Sequence, residues 1–104
     1  LTSGSDTIDV AAITDNADGT PGTEEFAMGF STDGDTTIPA GYDHNVTPAS
    51  RDWTFVASTT TTIASETGPT ATETISAFYL GNIAANTEAG SYSTNILYLA
   101  TATF

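Results

Sequence analysis

The chain contains no cysteine, no lysine and no glutamine, and Arg51 is its one arginine. Without cysteine there is no disulfide framework, no thiol nucleophile and no thiolate metal site, so composition carries no mark of the redox compartment. Without lysine, neither a Lys–Asn isopeptide bond nor sortase-type joining through a lysine can form within these residues. The missing glutamine removes Thr–Gln ester cross-links as well. If the chain polymerises, its contacts are therefore noncovalent. Long apolar runs are also missing: no stretch is long enough for a signal peptide or a membrane span. With Leu1 in place of a methionine, the expectation is a processed product of a longer precursor. Basic charge is almost absent, and thirteen acids against one arginine give a formal net charge of -12. Such a surface repels phosphate backbones and anionic lipid, which argues against nucleic-acid and membrane partners and makes cations the natural small ones. It also repels itself, so screening salt or divalent ions should relieve it.

What is present points to β-structure. Thr and Ser make up about three residues in ten, and the apolar residues are spread in short runs of Ile, Val, Phe, Tyr and Leu. Thr is β-branched and suits a pleated surface, while strong helix formers are scarce. Ten per cent of the residues are aromatic, enough to seed a core and to argue against disorder. A length of 104 residues fits one domain, 1–104, with residues 1–6 as a flexible or strand-exchanging leader.

Alternation marks the strands. Residues 7–14 place Ile8, Val10 and Ala12 on one face and Asp9, Ala11 and Ile13 on the other. Asp18-Gly19 and Pro21-Gly22 then reverse the chain. Phe26, Met28 and Phe30 recur at every second residue and should line the core. An irregular segment through Pro39, Gly41 and Pro48 follows, with Ile38 and Tyr42 expected to tuck over an open end of the fold. Residues 52–58 read as a strand with Trp53 as a core anchor. The Thr59–Thr62 run is strand-compatible, and a further Thr-rich strand is expected to enter at Thr70. Residues 74–83 are apolar on both faces, as in a central strand. Residues 91–104 alternate for fourteen positions without Gly or Pro. At ~3.3 Å per residue they would reach ~46 Å, more than a domain of this size needs, so part of this strand is expected to serve a neighbour.

Ala89-Gly90-Ser91-Tyr92-Ser93-Thr94, continued by Ile96, Tyr98 and Ala100-Thr101-Ala102, resembles the closing segment of immunoglobulin-like repeats in secreted bacterial and archaeal surface proteins. The nearest likeness is to the Thr-rich repeats of candidate-phylum (Patescibacteria-type) bacteria, in which a Trp strand like Arg51-Asp52-Trp53 also occurs upstream. The likeness spans Trp53 to Phe104. It implies an all-β, immunoglobulin-like antiparallel β-sandwich of about seven to nine strands, which a neighbour's strand can complete, and an extracellular or cell-surface location. Gly90-Ser91-Tyr92 also looks like a tyrosine corner, in which the phenol bonds back to the upstream backbone.

Candidate functional residues follow from this frame. The plausible route to assembly is strand addition, with the homopolymer itself as partner. The candidate donors are residues 1–14, through Ile8, Val10 and Ile13, and the end of the last strand, through Leu97, Leu99 and Phe104. Asp15, Asn16, Asp18 and Thr20 in one loop, and Asp33 and Asp35 in another, offer hard oxygen ligands for calcium, although their spacing is not that of an EF-hand and solvated turn acids are the simpler account. His44 stands without a second His or Cys for zinc or a triad, and reads as an exposed or capped loop residue. The Asn45-Val46-Thr47 sequon is followed by Pro48, which disfavours modification. The acids sit on turns, so no pair of carboxylates beside a cleft suggests catalysis. The leading expectation is a non-enzymatic structural subunit of an extracellular filament, tube or surface layer. The alternative is a monomeric adhesion or carbohydrate-binding module, which would display Tyr42, Trp53 and Tyr79 together on a solvated face.

Overall fold

The structure, a computed structural model, describes residues 1–14, 16–69 and 71–102. The architecture is all-β. Among the described residues six strands occur in chain order: β1 (Thr2–Ser3), β2 (Asp6–Thr7), β3 (Ala12–Ile13), β4 (Glu25–Thr32), β5 (Trp53–Thr54) and β6 (Ile75–Asn82). Two 3₁₀ turns, Ala40–Tyr42 and Pro48–Ser50, lie between β4 and β5. β1 and β2 form a two-stranded hairpin, and the other four strands form one sheet in the order β3-β5-β4-β6. Every ladder between these strands is antiparallel. None of the helical turns is long and apolar enough to cross a membrane.

β4 organises the molecule. Its alternation sends Phe26, Met28 and Phe30 into the core, where they meet Ile8, Ile38 and Tyr42. The other face of β4 is made of small residues, Ala27 and Gly29, and the His44 ring fills the space over Gly29. β6 runs beside β4 for its whole length, with Met28 opposite Tyr79 and Gly29 opposite Phe78. Ile75, Ala77 and Tyr79 therefore share the core face, and Phe78 and Leu80 the other. Glu25 ties the start of this pair to the preceding loop by accepting hydrogen bonds from the Thr20 N–H and the Asn82 amide. Glu73 does the same at the far end, accepting from the Thr32 hydroxyl and from the Asp35 and Thr36 N–H groups.

Several expected strands are shorter than their alternation suggests. In 7–14 only Thr7, the end of β2, and Ala12–Ile13 are in strands. Ile8 is buried and Val10 exposed, so the two do not share a face. The reason is that the chain changes partner as it goes: Ile8 bonds to Leu1, Asp9 and Ala11 bridge to Phe26, and Ile13 pairs with Trp53. The strand expected over 52–58 stops after Thr54, before Ser58 adopts a left-handed conformation with φ of 59°. The Thr59–Thr62 run forms no ladder, and the nearest pairing is an isolated bridge between Thr37 and Ser65. Thr70 lies outside the described residues. The leader expected over 1–6 is instead engaged by its own chain, through the β1–β2 hairpin and a bridge from Thr2 to Ser93.

Candidate assembly surface

Two departures from expectation meet in one place. The first is β6. Its sequence is apolar on both faces, which suits a central strand, yet it occupies the edge of the sheet, paired with β4 on one side only. Ile75, Phe78 and Tyr79 are consequently exposed, as is Ile83 just beyond the strand.

The second departure is the closing segment. The expected fourteen-residue strand over 91–104 is not formed: after the bridge at Ser93, residues 94–102 run without turn, bend or ladder. No backbone group of 94–102 is hydrogen-bonded to another described residue. Residues 94–102 are exposed except for Ile96, which is half-buried, and only the degree of exposure differs between Tyr98, at 49%, and the leucines on either side of it. Ile96 packs against the core cluster, and the Tyr98 ring sits edge-on to Phe30 at 6.4 Å. Leu97 and Leu99 point away and are 87% and 77% exposed. Leaving two leucines in water forgoes roughly 3–6 kcal/mol of burial free energy. A strand exists only as a pair, and this segment has no backbone partner among the described residues.

Side-chain bonds fix how the segment lies. The Tyr92 hydroxyl donates to the Glu88 carbonyl at 2.9 Å, a backward bond that sets the start of the segment. The Tyr98 and Tyr79 hydroxyls are 2.7 Å apart. Burial, and then the bond to Tyr79, push the Tyr98 phenol up to about 12. The Tyr98 side chain thus meets the core face at Tyr79 and Phe30, and among the described residues none of 94–102 is hydrogen-bonded to the β6 backbone.

The other sequence-predicted residues separate cleanly. Ile8 belongs to the core and Ile13 is half-buried beside Trp53, so the first expected donor is largely absorbed by its own molecule, with Val10 alone exposed. Phe104 and Asp15 lie outside the described residues. The Asn16 side chain closes its own turn, donating to the Gly19 carbonyl and accepting from the Asp18 N–H. The Asp33 carboxylate accepts from the Thr74 N–H. Asp33 and Asp35 line an open acidic cleft of about 400 Å³ with Glu66 and Glu73, but among the described residues no three His, Cys, Asp or Glu side chains converge to hold a metal ion. The glycan platform of Tyr42, Trp53 and Tyr79 is not assembled: Tyr42 and Trp53 are buried, and the Trp53 indole donates to the Asn16 carbonyl at 2.9 Å.

His44 is the residue that sequence reasoning misplaced. It is 5% exposed, lying between Trp53 and Phe78 with ring centroids at 4.3 and 5.1 Å. Its Nε2–H donates to the Asp52 carbonyl at 3.0 Å, and its Nδ1 has no partner. Burial lowers its pKa, against the opposing pull of that bond and of Asp43 and Asp52. No family model, curated protein or solved structure matches the chain.

Proposed function

We propose that this chain is a non-catalytic structural subunit of an extracellular filament, tube or surface layer, assembling with copies of itself by noncovalent β-strand complementation. The observation that carries the reading is the segment 94–102, with its backbone unpaired among the described residues and Leu97 and Leu99 in water. An immunoglobulin-like sandwich completed by a neighbour's strand accounts for both this segment and the half-covered core face of β6.

The dimensions support incompleteness of the single molecule. A folded monomer of 10.7 kDa exposes ~5,500 Å². This chain exposes 6914 Å². The surplus of roughly 1,400 Å² approaches the two patches of ~800 Å² that a subunit with one neighbour on each side would bury. The Cα radius of gyration, 15.2 Å, likewise exceeds the ~13 Å of a compact domain of this length.

Negative-stain electron microscopy of the purified chain, with calcium and with chelator, tests the reading alongside light scattering across protein concentration. Ordered polymers or concentration-dependent oligomers are expected. A chain that stays monomeric at every concentration and in both conditions overturns it.

A further inference from the structure

We infer that the free edge of β6 is the acceptor for segment 94–102 of a second copy, so that the closing segment of one molecule becomes the fifth strand of its neighbour's sheet. The assignment rests on the self-assembly reading above and gives it a geometry.

Four observations converge on this pairing. First, β6 is an edge strand without the usual protection. Natural edges are blunted by lysine, proline, bulges or short length. β6 is eight residues long, pairs with β4 without a break, and contains neither Lys nor Pro. Second, donor and acceptor share a pattern. β6 presents Ile75, Ala77 and Tyr79 on one face and Phe78 and Leu80 on the other. The segment presents Ile96, Tyr98 and Ala100 on one side and Leu97 and Leu99 on the other. A strand that is apolar on both faces is stable beside another of the same kind, because each covers what the other exposes.

Third, charge leaves few alternatives. In a chain of net charge -12, residues 74–87 and 89–104 contain no ionisable acid or base other than tyrosine. Two copies can bring these stretches together without apposing carboxylates, whereas the loops around Asp33 and Glu73 cannot meet their counterparts at so little cost. Fourth, the molecule's own segment does not serve this edge. It touches β6 through the Tyr79–Tyr98 hydroxyl contact and, among the described residues, gives the β6 backbone no hydrogen bond, which leaves the edge open to a segment from elsewhere.

The absence of native cysteine makes a direct test available. Single-cysteine variants of the full chain are prepared on the acceptor, Ser76→Cys and Ala77→Cys, and on the donor, Leu97→Cys and Leu99→Cys. The two faces of β6 are thereby sampled separately, since Ser76 and Ala77 point to opposite sides. Acceptor and donor variants are mixed, mildly oxidised and analysed by intact mass. One acceptor position is expected to form mixed disulfides with a donor variant in about tenfold excess over either homodimer. In parallel, Ala77→Lys, at an exposed position, is expected to raise the concentration needed for assembly by about tenfold or more while leaving the circular dichroism of the monomer intact.

Donor homodimers alone, with assembly unaffected by Ala77→Lys, would overturn the acceptor assignment and leave self-assembly standing, with closing segments paired to each other. No cross-linking of any kind, together with a native chain that never associates, would remove both readings.

Discussion

At the scale of the residue, Gly29 and His44 form a fitted pair. A Cβ built on Gly29 would overlap the His44 imidazole, and that ring cannot retreat because Trp53 and Phe78 flank it. Overpacking at such a site costs about 1–3 kcal/mol. Gly29→Ala is therefore expected to lower Tm by roughly 4–24 °C, given about 4–8 °C per kcal/mol for a domain of this size, as measured by thermal melting. An unchanged Tm would show that the ring is free to move. His44 also imposes a pH dependence of definite sign. Its folded pKa lies below its unfolded value of ~6.5, so between the two the unfolded chain binds more protons and stability falls as pH is lowered. The proton would go to Nδ1, which has no acceptor nearby, with the Arg51 charge opposing it and Asp43 and Asp52 favouring it. Replacing His44 by Phe is expected to flatten the loss of stability between pH ~7 and ~5 in chemical unfolding. A wild-type and variant difference that does not change with pH would assign the slope to the carboxylates. Neither member of this pair was legible in the sequence. A lone histidine among loop residues carries no periodic signal, and Gly29 reads only as one small residue in an alternating strand.

At the scale of the element, the two strands of eight residues were legible nearly at full length, whereas the two-residue β3 and β5 were expected as longer strands. Phe26, Met28 and Phe30 announce β4, and the two-faced apolar run announces β6, because long ladders impose a period on the sequence. Strands such as Ala12–Ile13 and Trp53–Thr54 are fixed by partners far along the chain, and two residues hold no period at all. The closing segment teaches the opposite lesson. Its alternation is the most regular in the chain, yet no ladder forms, since period two records the faces a strand will need and not whether a partner is present. The same limit hid the position of β6: its pattern told that it should be covered, and nothing in the pattern told by whom. A separation of roles follows. Removing residues 99–104 keeps Ile96 and Tyr98 on the core and is expected to leave the monomer's Tm within a few degrees of native while abolishing assembly. Removing residues 1–14 takes away Ile8 from the core, a loss of about 2–5 kcal/mol from that side chain alone, and is expected to unfold the chain. Circular dichroism and light scattering on the two deletions distinguish the cases; equal effects of both on folding would mean that the closing segment is part of the core rather than its spare strand.

At the scale of the whole molecule, charge and apolar surface pull in opposite directions. Under the proposed assembly each association would bring together two bodies of net charge -12, while the proposed contact surfaces carry no charge. The repulsion is long-ranged and screened by salt, with a Debye length of ~30 Å at 0.01 M and ~10 Å at 0.1 M. The molecule measures 49 × 29 × 18 Å, so at low salt each copy feels nearly the whole charge of its neighbour, and at higher salt mainly the groups at the contact. Burial of Leu97 and Leu99 is not weakened by screening, because its origin is hydration. Raising NaCl from ~0.01 to ~0.2 M is therefore expected to promote assembly steeply, the reverse of the behaviour of a complex held by opposite charges. The loops around Asn16, Asp18, Asp33 and Asp35 set the second arm of the experiment. The Asn16 and Asp33 side-chain oxygens already accept backbone N–H groups, and no three acidic or histidine side chains converge among the described residues, so magnesium and calcium should act as screening ions and give equal responses at matched ionic strength, read by light scattering. A response to calcium that exceeds magnesium at the same ionic strength would place a specific site in those loops and make the metal a component of the contact. Assembly that declines with salt would mean that Arg51 or another polar contact, rather than uncharged strand pairing, holds the copies together.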